Sequence, residues 1–317
     1  MFLSFIVPAY NVESYIERCI ASLCYQDISN DEYEIIIVND GSTDNTLSKI
    51  KNLIQKYAEF KFVLIDKPNG GLSSARNAAM DVATGDYVWF VDSDDYIEQN
   101  CLQEIVQYIK RFNELDILLF NTDYIYDNAP VVYNPRRLSA KECFLGSELY
   151  LKDFRYPYSG VQFAIYKHSY LKHINLKFKE GVYFEDILYT ILLLASNPQC
   201  VYVDRVFYHY YMRNSSITNS KSSVKKCLDI LAVADELNNS IEQKEKYNNV
   251  VLCDQIARLL ASIYRYRMGG MSLKDKLHVV KAINSKGYWW KAITESKKYK
   301  YIPYVALNFI LRIFTFK

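Results

Sequence analysis

The sequence lacks paired cysteines. Its seven cysteines are spread over 317 residues, are odd in number and form no CxxC pair. This pattern therefore predicts neither a disulfide framework nor a zinc site. We expect reduced, mostly buried thiols in a cytoplasmic protein.

Long apolar runs are also absent. No window reaches the about 18 consecutive apolar residues that a membrane-spanning helix requires. The first residues, MFLSFIVPAYN, have no basic leader and no small-residue cleavage site. We therefore interpret them as a first strand rather than a signal peptide.

Neither charge sign is in excess, since 38 Lys and Arg against 36 Asp and Glu leave a formal charge of +2. Charge therefore gives no indication of a nucleic-acid partner. Glycine is scarce, with 10 residues against 29 Tyr and 16 Phe. Tyrosine-rich surfaces can bind sugar rings or lipid head groups, but tyrosine is also a common half-buried filler, so the aromatic content alone decides nothing.

Short apolar runs alternate with helical periodicity from residue 2 to about residue 120. The runs predict four strands, at LSFIVPAY, YEIIIVND, KFVLID and DYVWFVD. This alternation predicts an α/β fold with a doubly wound, largely parallel sheet. After about residue 220 the pattern becomes helical, at 222–244, 249–267 and 273–285. We therefore predict two domains, 1–217 and a C-terminal helical region, 218–317.

Each predicted strand ends in a polar motif. These motifs are PAYN, NDGSTD, KPNGG and DSDD, in chain order. Ligands of open α/β sheets bind beyond the carboxyl ends of the strands. We therefore expect all four motifs to converge on one crevice.

The DSDD motif places Asp92, Ser93, Asp94 and Asp95 after an apolar run. Carboxylates this close repel one another, so the cluster needs open water or a metal. The spacing of Asp92 and Asp94 suits Mg²⁺ or Mn²⁺, which prefer oxygen ligands. Alternatively, Asp94 and Asp95 are the acidic first turn of a helix. Asp95 is interpreted as a helix-start or acceptor-side residue.

The second and third motifs are compatible with nucleotide binding. Asp40 precedes a glycine turn and could accept a hydrogen bond from a uracil, whereas Gly41, Ser42 and Asp44 are explained as a turn and helix cap. Arg76 follows two glycines at a helix start and could contact phosphate. The sequence DKPNGGLSSARN matches neither a Walker A nor a GxGxxG motif. An exposed loop with a surface arginine would look the same.

Two later motifs carry further candidates. Glu185 and Asp186 stand where an apolar helix is predicted to begin, and either an acidic first turn or a general base explains them. The stretch YHYYMRNSSIT offers His209, Arg213 and Ser216. A lone histidine can be structural, or His209 and Arg213 can close over a metal and phosphates.

The ordered set of IVPAYN, VNDGSTDNT, NGGLSSARN, DSDD, ED and YHYYMRNSSIT resembles the family 2 inverting glycosyltransferases. That family has the GT-A nucleotide-diphospho-sugar transferase fold. The resemblance covers about residues 3 to 217. One departure is VNDGS, which has Asn39 where the family usually has a second acid. The last hundred residues carry no signature of the family.

The resemblance implies a nucleotide and metal site. Residues implied to bind the nucleotide are Pro8, Ala9, Tyr10, Asp40, Arg76 and Ser93, with Asp40 on the base. Asp92 and Asp94 would hold Mn²⁺ or Mg²⁺ bridging the diphosphate, with Asp94 as the favoured direct ligand. His209 would join the metal site, and Arg213 and Ser216 would lie in a loop that orders over the donor.

The resemblance also implies the reaction. Asp186 would be the catalytic base, with Glu185 as its neighbour, in a metal-dependent single displacement that inverts the anomeric carbon. The implied donor is a nucleotide sugar, with a UDP-hexose expected. The implied acceptor is a saccharide or lipid-linked saccharide hydroxyl in surface polysaccharide biosynthesis.

Two other function classes are alternatives, a nucleotidyltransferase and a non-catalytic sugar-binding module. A nucleotidyltransferase would carry a glycine-rich loop with Arg and Lys after the first strand, where this chain has PAYNVESY. A non-catalytic sugar-binding module would have lost the metal and base positions, which this chain retains. The C-terminal stretch KKYKYIPYVALNFILRIFTFK is basic and amphipathic. It either lies peripherally on the inner face of the cell membrane or packs as a helix on the catalytic domain.

Overall fold

The computed structural model describes residues 1–112, 115–126, 130–134, 138, 143–153, 160–212, 223–243 and 246–296. The chain divides into two compact units. The first contains Met1–Gly181 and Pro198–Asn214, and the second contains Val182–Asn197 and Ser215–Lys317.

The first unit is built on a ten-stranded mixed sheet. Its strands are β1 (Leu3–Ala9), β2 (Tyr33–Asp40), β3 (Phe62–Lys67), β4 (Tyr87–Phe90), β5 (Tyr96–Ile97), β6 (Ile117–Tyr126), β7 (Val132–Asn134), β8 (Cys143–Leu145), β9 (Ala164–Lys167) and β10 (Gln199–Met212). The strand order is β3-β2-β1-β4-β9-β6-β10-β5, with β7 paired to β6 and β8 paired to β10.

The first four strands form the predicted parallel half of the sheet. β1 pairs in parallel with both β2 and β4, and β2 pairs in parallel with β3. Ile35, Ile36 and Ile37 in β2 are all fully buried, as expected of a strand covered on both faces.

The other half of the sheet is mixed. β9 pairs antiparallel with β4 and β6, while β10 runs parallel to β6 and antiparallel to β5 and β8. The β10–β6 register shifts between Tyr202 and Val206 and again between Val206 and Tyr208. Bulges of this kind redirect a strand and its side chains.

Helices cover the sheet of the first unit. They are α1 (Ile16–Leu23), α2 (Thr46–Lys56), α3 (Leu72–Val82), α4 (Leu102–Arg111), α5 (Gly146–Asp153) and α6 (His168–His173). The apolar stripe of α1 faces the core, since Ile16, Ile20 and Leu23 are fully buried. At the start of α2, Asp44 Oδ1 accepts a hydrogen bond from the Thr46 amide at 3.0 Å, which agrees with its interpretation as part of a helix cap.

A buried acid holds the amino-terminal end of the parallel strands. Glu34 is 1% exposed, and its Oε1 accepts hydrogen bonds from Ser4 Oγ at 2.7 Å and from the Thr84 amide and hydroxyl at 2.8 and 2.7 Å. Lys61 Nζ lies 3.1 Å from Oε2. Burial alone would raise the pKa of Glu34, but these hydrogen bonds lower it below its ordinary value.

The second unit is helical. It contains α7 (Glu185–Ala195), α8 (Val224–Ser240), α9 (Asn249–Ser262), α10 (Leu273–Asn284) and α11 (Trp289–Glu295), and α9 continues into a π-helical turn, Ile263–Arg267. α7 packs against α8 and α9, and the Asn248 amide donates to the Ala195 carbonyl at 2.7 Å. The contacts thus group α7 with the helices that follow residue 217. Over the described residues, no helix combines the length and the hydropathy that crossing a membrane requires.

Candidate functional site

The sheet reverses its strand order between β1 and β4, because β2 and β3 lie on one side of β1 and β4 on the other. In open α/β sheets the ligand crevice lies at this reversal, beyond the carboxyl ends of the strands. The register aligns Ala9 with Asn39 and Asn39 with Asp66, so three strands end together. β1 also aligns Ile6 with Phe90, the last residue of β4, so the polar motifs that follow these four strands lie at one edge of the sheet.

The first motif leaves β1 at this edge. Pro8 and Ala9 are buried, whereas 49% of Tyr10 is exposed. Asn11 has a positive φ of 52° and its Oδ1 accepts the Thr43 amide hydrogen bond at 2.8 Å. The turn after β1 is therefore hydrogen-bonded to the turn after β2.

Asp40 organises the loop that precedes α3. It is 2% exposed, and its Oδ1 lies 2.6 Å from Lys67 Nζ and accepts the Gly70 amide at 3.0 Å. Its Oδ2 accepts the Gly71 amide at 2.7 Å, and its carbonyl accepts Asn69 Nδ2 at 2.9 Å. The predicted base-binding residue thus holds residues 69–71 in place.

Gly41 shows how closely this loop approaches β2. Its φ is +69°, and a Cβ added there would lie 2.7 Å from the Asn69 amide nitrogen. Only glycine fits without moving the loop.

Arg76 is buried beside the DSDD motif. It is 2% exposed, its Nη2 donates to Asp92 Oδ1 at 2.8 Å, and its Cζ lies 5.3 Å from the centroid of the Phe178 ring. The alternative of a surface arginine is therefore wrong. A buried guanidinium requires an ionic partner, and Asp92 supplies it.

Asp92 and Asp95 of the DSDD motif have different surroundings. The Asp92 side chain is 23% exposed, whereas Asp95 is 1% exposed. Asp95 Oδ2 accepts the Tyr208 hydroxyl hydrogen at 2.6 Å, and Oδ1 accepts the Tyr211 amide at 2.7 Å. Burial raises the pKa of Asp95 well above its ordinary value, and the charges of Asp94 and Asp92 raise it further.

The helix-start interpretation of Asp95 is therefore wrong, since β5 begins at Tyr96 and α4 only at Leu102. The protein itself supplies the hydrogen bonds of Asp95. The metal site at Asp92 and Asp94 stays a prediction. Ser93, between the two proposed ligands, is 5% exposed.

Arg18 supports the turn at Asp94. Its Nη2 donates to the Asp94 carbonyl at 2.7 Å. Its Cζ lies 4.3 Å from the centroid of the Tyr211 ring and 4.8 Å from that of Tyr96. Contact with two aromatic faces restricts the guanidinium and keeps it next to the turn.

His209 has acidic and aromatic neighbours. Its Nε2 lies 2.9 Å from Glu98 Oε2, its Nδ1 lies 3.8 Å from Asp123 Oδ2, and its ring stacks on Tyr96 with centroids 4.7 Å apart. In the part of the chain that the structure describes, these are its polar and ring contacts, and Asp92 and Asp94 are not among them. Its metal role stays a prediction.

The predicted base lies in the second unit. Glu185 and Asp186 are the first two residues of α7, after Phe184, which has a positive φ of 68°. Asp186 Oδ1 lies 2.8 Å from the Ile187 amide nitrogen. Arg213 and Ser216 lie outside the described residues.

Sequence reasoning missed Tyr208, Lys67 and Arg18. Tyr208 is fully buried in β10, and burial together with Asp95 and Asp92 raises the pKa of its hydroxyl well above the ordinary value. A tyrosine inside a tyrosine-rich strand gives no local signal for this role. Lys67 could have been found, because it stands at the end of a predicted strand beside a predicted carboxylate site.

Comparison with known proteins places the chain among glycosyltransferases. The family model described as Glycosyl transferase family 2 matches residues 4–174. The poly(ribitol-phosphate) beta-N-acetylglucosaminyltransferase TarS of Staphylococcus aureus is 31% identical over 307 residues, which cover 93% of this chain and 50% of TarS. The chain thus spans about half the length of this relative.

Solved structures have the same fold. The crystal structure of S. aureus TarS residues 1–349 in complex with UDP-GlcNAc matches with a TM-score of 0.73 at 23% identity, covering 90% of this chain and 80% of that one. The mannosyltransferase PcManGT from Pyrobaculum calidifontis in complex with GDP-Man and Mn²⁺ matches with a TM-score of 0.53 at 17% identity, covering 96% and 86%. At these identities the likeness concerns the fold alone.

Proposed function

The chain belongs to glycosyl transferase family 2 and has the GT-A fold, and on that premise we propose that it transfers a sugar from a UDP-sugar to an acceptor hydroxyl. The likeness to TarS, which extends over 93% of the chain, carries the proposal. The name of TarS gives N-acetylglucosamine as the sugar and poly(ribitol phosphate) as the acceptor. We therefore propose a UDP-hexose or UDP-N-acetylhexosamine donor, and an acceptor that is a saccharide, a lipid-linked saccharide or a related surface polymer.

The proposed nucleotide subsite is the edge where β1 and β2 end. Pro8, Ala9 and Tyr10 would line it, with Arg76 and Ser93 on the diphosphate side. Asp40 would hold the base, since Oδ2 accepts one hydrogen bond from the described residues and a carboxylate oxygen can accept a second. The polar strand ends at the sheet reversal support this placement.

The acids of the turn fit a divalent cation. Asp92 and Asp94 offer carboxylate oxygens, which Mg²⁺ and Mn²⁺ prefer, and Asp92 Oδ2 accepts no hydrogen bond within the described ranges. Those ranges contain no group of three or more His, Cys, Asp or Glu suited to a metal. Diphosphate and water would complete the coordination. A bound cation would offset the charge on the departing diphosphate.

Asp186 is proposed as the base, with Glu185 as its neighbour. Its carboxylate would accept the proton of the acceptor hydroxyl while the oxygen attacks the anomeric carbon and the bond to the diphosphate breaks. The configuration then inverts, so an α-linked donor gives a β-linked product. The "beta" in the name of TarS agrees with this stereochemistry. Arg213 and Ser216 are retained as proposed donor contacts on the resemblance alone.

A location on the inner face of the cell membrane is also proposed. It rests on the basic amphipathic stretch 297–317, which lies outside the described residues. If a chain without residues 298–317 co-sediments with anionic vesicles as the full chain does, this part of the proposal fails.

The test of function is release of UDP from a panel of UDP-sugars with Mn²⁺ and candidate acceptors. Asp94→Ala and Asp186→Asn should each lower turnover by about 100-fold or more, because each removes a group that acts on the reacting atoms. Asp81→Asn is the matched control, since Asp81 forms an ion pair with Lys177 in which both side chains are 60% exposed. It should leave turnover unchanged.

Three results would contradict the proposal. Unchanged turnover in Asp94→Ala or Asp186→Asn would show that Asp94 is not required to bind a metal, or that Asp186 is not the base. Pyrophosphate as the released product would indicate a nucleotidyltransferase, and binding of sugar polymers without nucleotide binding would indicate a non-catalytic module.

A further inference from the structure

One hydroxyl group joins both ends of the DSDD turn to β10. The turn is closed by a hydrogen bond from the Asp95 amide to the Asp92 carbonyl at 2.9 Å. Tyr208 Oη accepts the Asp92 amide hydrogen at 3.1 Å and donates to Asp95 Oδ2 at 2.6 Å. The first and last residues of the turn therefore share one partner.

Asp95 faces the sheet with both of its carboxylate oxygens. Oδ2 accepts from Tyr208 and Oδ1 accepts from the Tyr211 amide at 2.7 Å. Asp95 is 1% exposed. Both oxygens thus bind β10, whereas the Asp92 side chain on the same turn is 23% exposed.

Tyr208 is itself rigidly held. It is fully buried, its ring packs against those of Trp89 and Phe163, and its carbonyl accepts Thr122 Oγ1 at 2.8 Å. A ring enclosed by close-packed neighbours keeps its hydroxyl in one position. The Asp92 amide is therefore fixed relative to β10.

We propose that Tyr208 and Asp95 are positioning residues that hold Asp92 and Asp94 in the geometry required to bind a divalent cation with a nucleoside diphosphate. The inference rests on the proposed function. Neither residue contacts the ligand, and both act through the backbone of the turn. Sites of this kind need their ligating groups fixed by surrounding hydrogen bonds.

Tyr208→Phe tests the proposal, because it removes the hydroxyl and keeps the ring. Binding of Mn²⁺ in the presence of UDP is measured by electron paramagnetic resonance of the free ion, and unfolding is followed in parallel. We expect Mn²⁺ affinity to fall about five- to tenfold, the equivalent of one lost hydrogen bond. The Michaelis constant for the donor should rise more than the turnover number falls.

Tyr166→Phe is the matched control. Tyr166 is 3% exposed in the same unit, and its hydroxyl donates to the Val161 carbonyl at 2.8 Å, which is not part of the turn. Removing the Tyr166 hydroxyl should lower the unfolding temperature about as much as Tyr208→Phe does. The Mn²⁺ affinity of Tyr166→Phe should equal that of the unmodified protein.

Asp95→Asn provides a second variant of nearly unchanged shape. It should weaken Mn²⁺ binding about as much as Tyr208→Phe, and the double variant should lose little more, because the two residues act as a unit. Complete loss of binding in Asp95→Asn with full binding in Tyr208→Phe would make Asp95 a direct ligand and overturn the proposal.

Two further outcomes would overturn the inference. Unchanged Mn²⁺ affinity in Tyr208→Phe, with a fall in stability equal to that of Tyr166→Phe, would show a merely structural hydroxyl and overturn the inference alone. If the unmodified protein binds no Mn²⁺ with UDP, the proposed function and this inference both fail.

Discussion

Among the described residues of the first unit, three carboxylates are at most 2% exposed, and each accepts hydrogen bonds from different donors. Glu34 binds Ser4, Thr84 and Lys61 at the amino-terminal end of the strands. Asp40 and Asp95 lie at the other end. Because a buried charge is costly without partners, removing either side of such a contact lowers stability.

Glu34→Gln should lower the free energy of unfolding at pH 7 by about 1 to 3 kcal/mol. The folded-state pKa of Glu34 lies below its ordinary value, so protonation favours the unfolded chain. The stabilisation is fully present above the unfolded-state value of about 4.3 and is lost as the pH falls through the folded-state pKa. As the pH falls, the free energies of unfolding of Glu34→Gln and of the unmodified protein should therefore converge. Urea unfolding of both proteins between pH 7 and pH 3 measures this.

Glu17→Gln is the control for this experiment. Glu17 pairs with Lys56 at 3.5 Å, with side chains 65% and 57% exposed, and exposed pairs contribute little. A constant difference between Glu34→Gln and the unmodified protein from pH 7 to pH 3 would show that Glu34 does not titrate as described.

The acidic residues at the strand ends could be predicted from the sequence, but their hydrogen-bond partners could not. Asp40 and Asp92 follow apolar runs, and that pattern is local. The side-chain partner of Asp95 is Tyr208, 113 residues away, and the pairing of β10 with β5 in the sheet brings them together. The same holds for His209 and its contact with Glu98.

At the scale of elements, α7 is apolar on most of its surface. Eight of its residues are buried: Ile187, Leu188, Tyr189, Thr190, Ile191, Leu193, Leu194 and Ala195. A helix that is apolar on nearly all sides must be covered by other elements. Within the second unit, α8 and α9 pack against it.

A chain that ends at residue 217 should therefore fold poorly. It keeps α7 but lacks α8 and α9, so apolar surface is exposed. We expect strong binding of a hydrophobic dye and an unfolding midpoint lower by about 10 °C or more, since each kcal/mol shifts the midpoint by about 2 to 4 °C. Co-expression with residues 218–317 is the control and should reduce dye binding. A monomeric 1–217 chain with the midpoint of the full protein would support the boundary predicted from sequence.

The predictability of elements follows the local sequence pattern rather than length alone, since β6 and β10, with 10 and 14 residues, are not among the four predicted strands. β1 to β4 and the helices between them were predicted, because continuous apolar runs and helical periodicity are long enough to recognise. β5, β7, β8 and β9 have two to four residues each, too few for a period to show. They are stabilised by pairing with distant strands, so the antiparallel part of the sheet was missed.

At the scale of the whole molecule, the chain enters the second unit, returns to the first and leaves it again. The predicted boundary near 217 came from the start of continuous helical spacing. Composition shows where helices begin, but it does not show which unit buries an apolar helix such as α7. The fold itself was predictable, because six motifs in a fixed order specify it better than any one motif does.

The central proposal is that the strand ends of the first unit bind a UDP-sugar through a divalent cation held by Asp92 and Asp94. Calorimetry of UDP binding in Mn²⁺ and in EDTA tests it most directly. We predict an affinity at least about tenfold higher in Mn²⁺, and loss of that difference in Asp94→Ala, because Asp94 would help to hold a cation that offsets the charge of the diphosphate. Equal affinity in Mn²⁺ and EDTA, or no binding of UDP at all, would contradict the proposal.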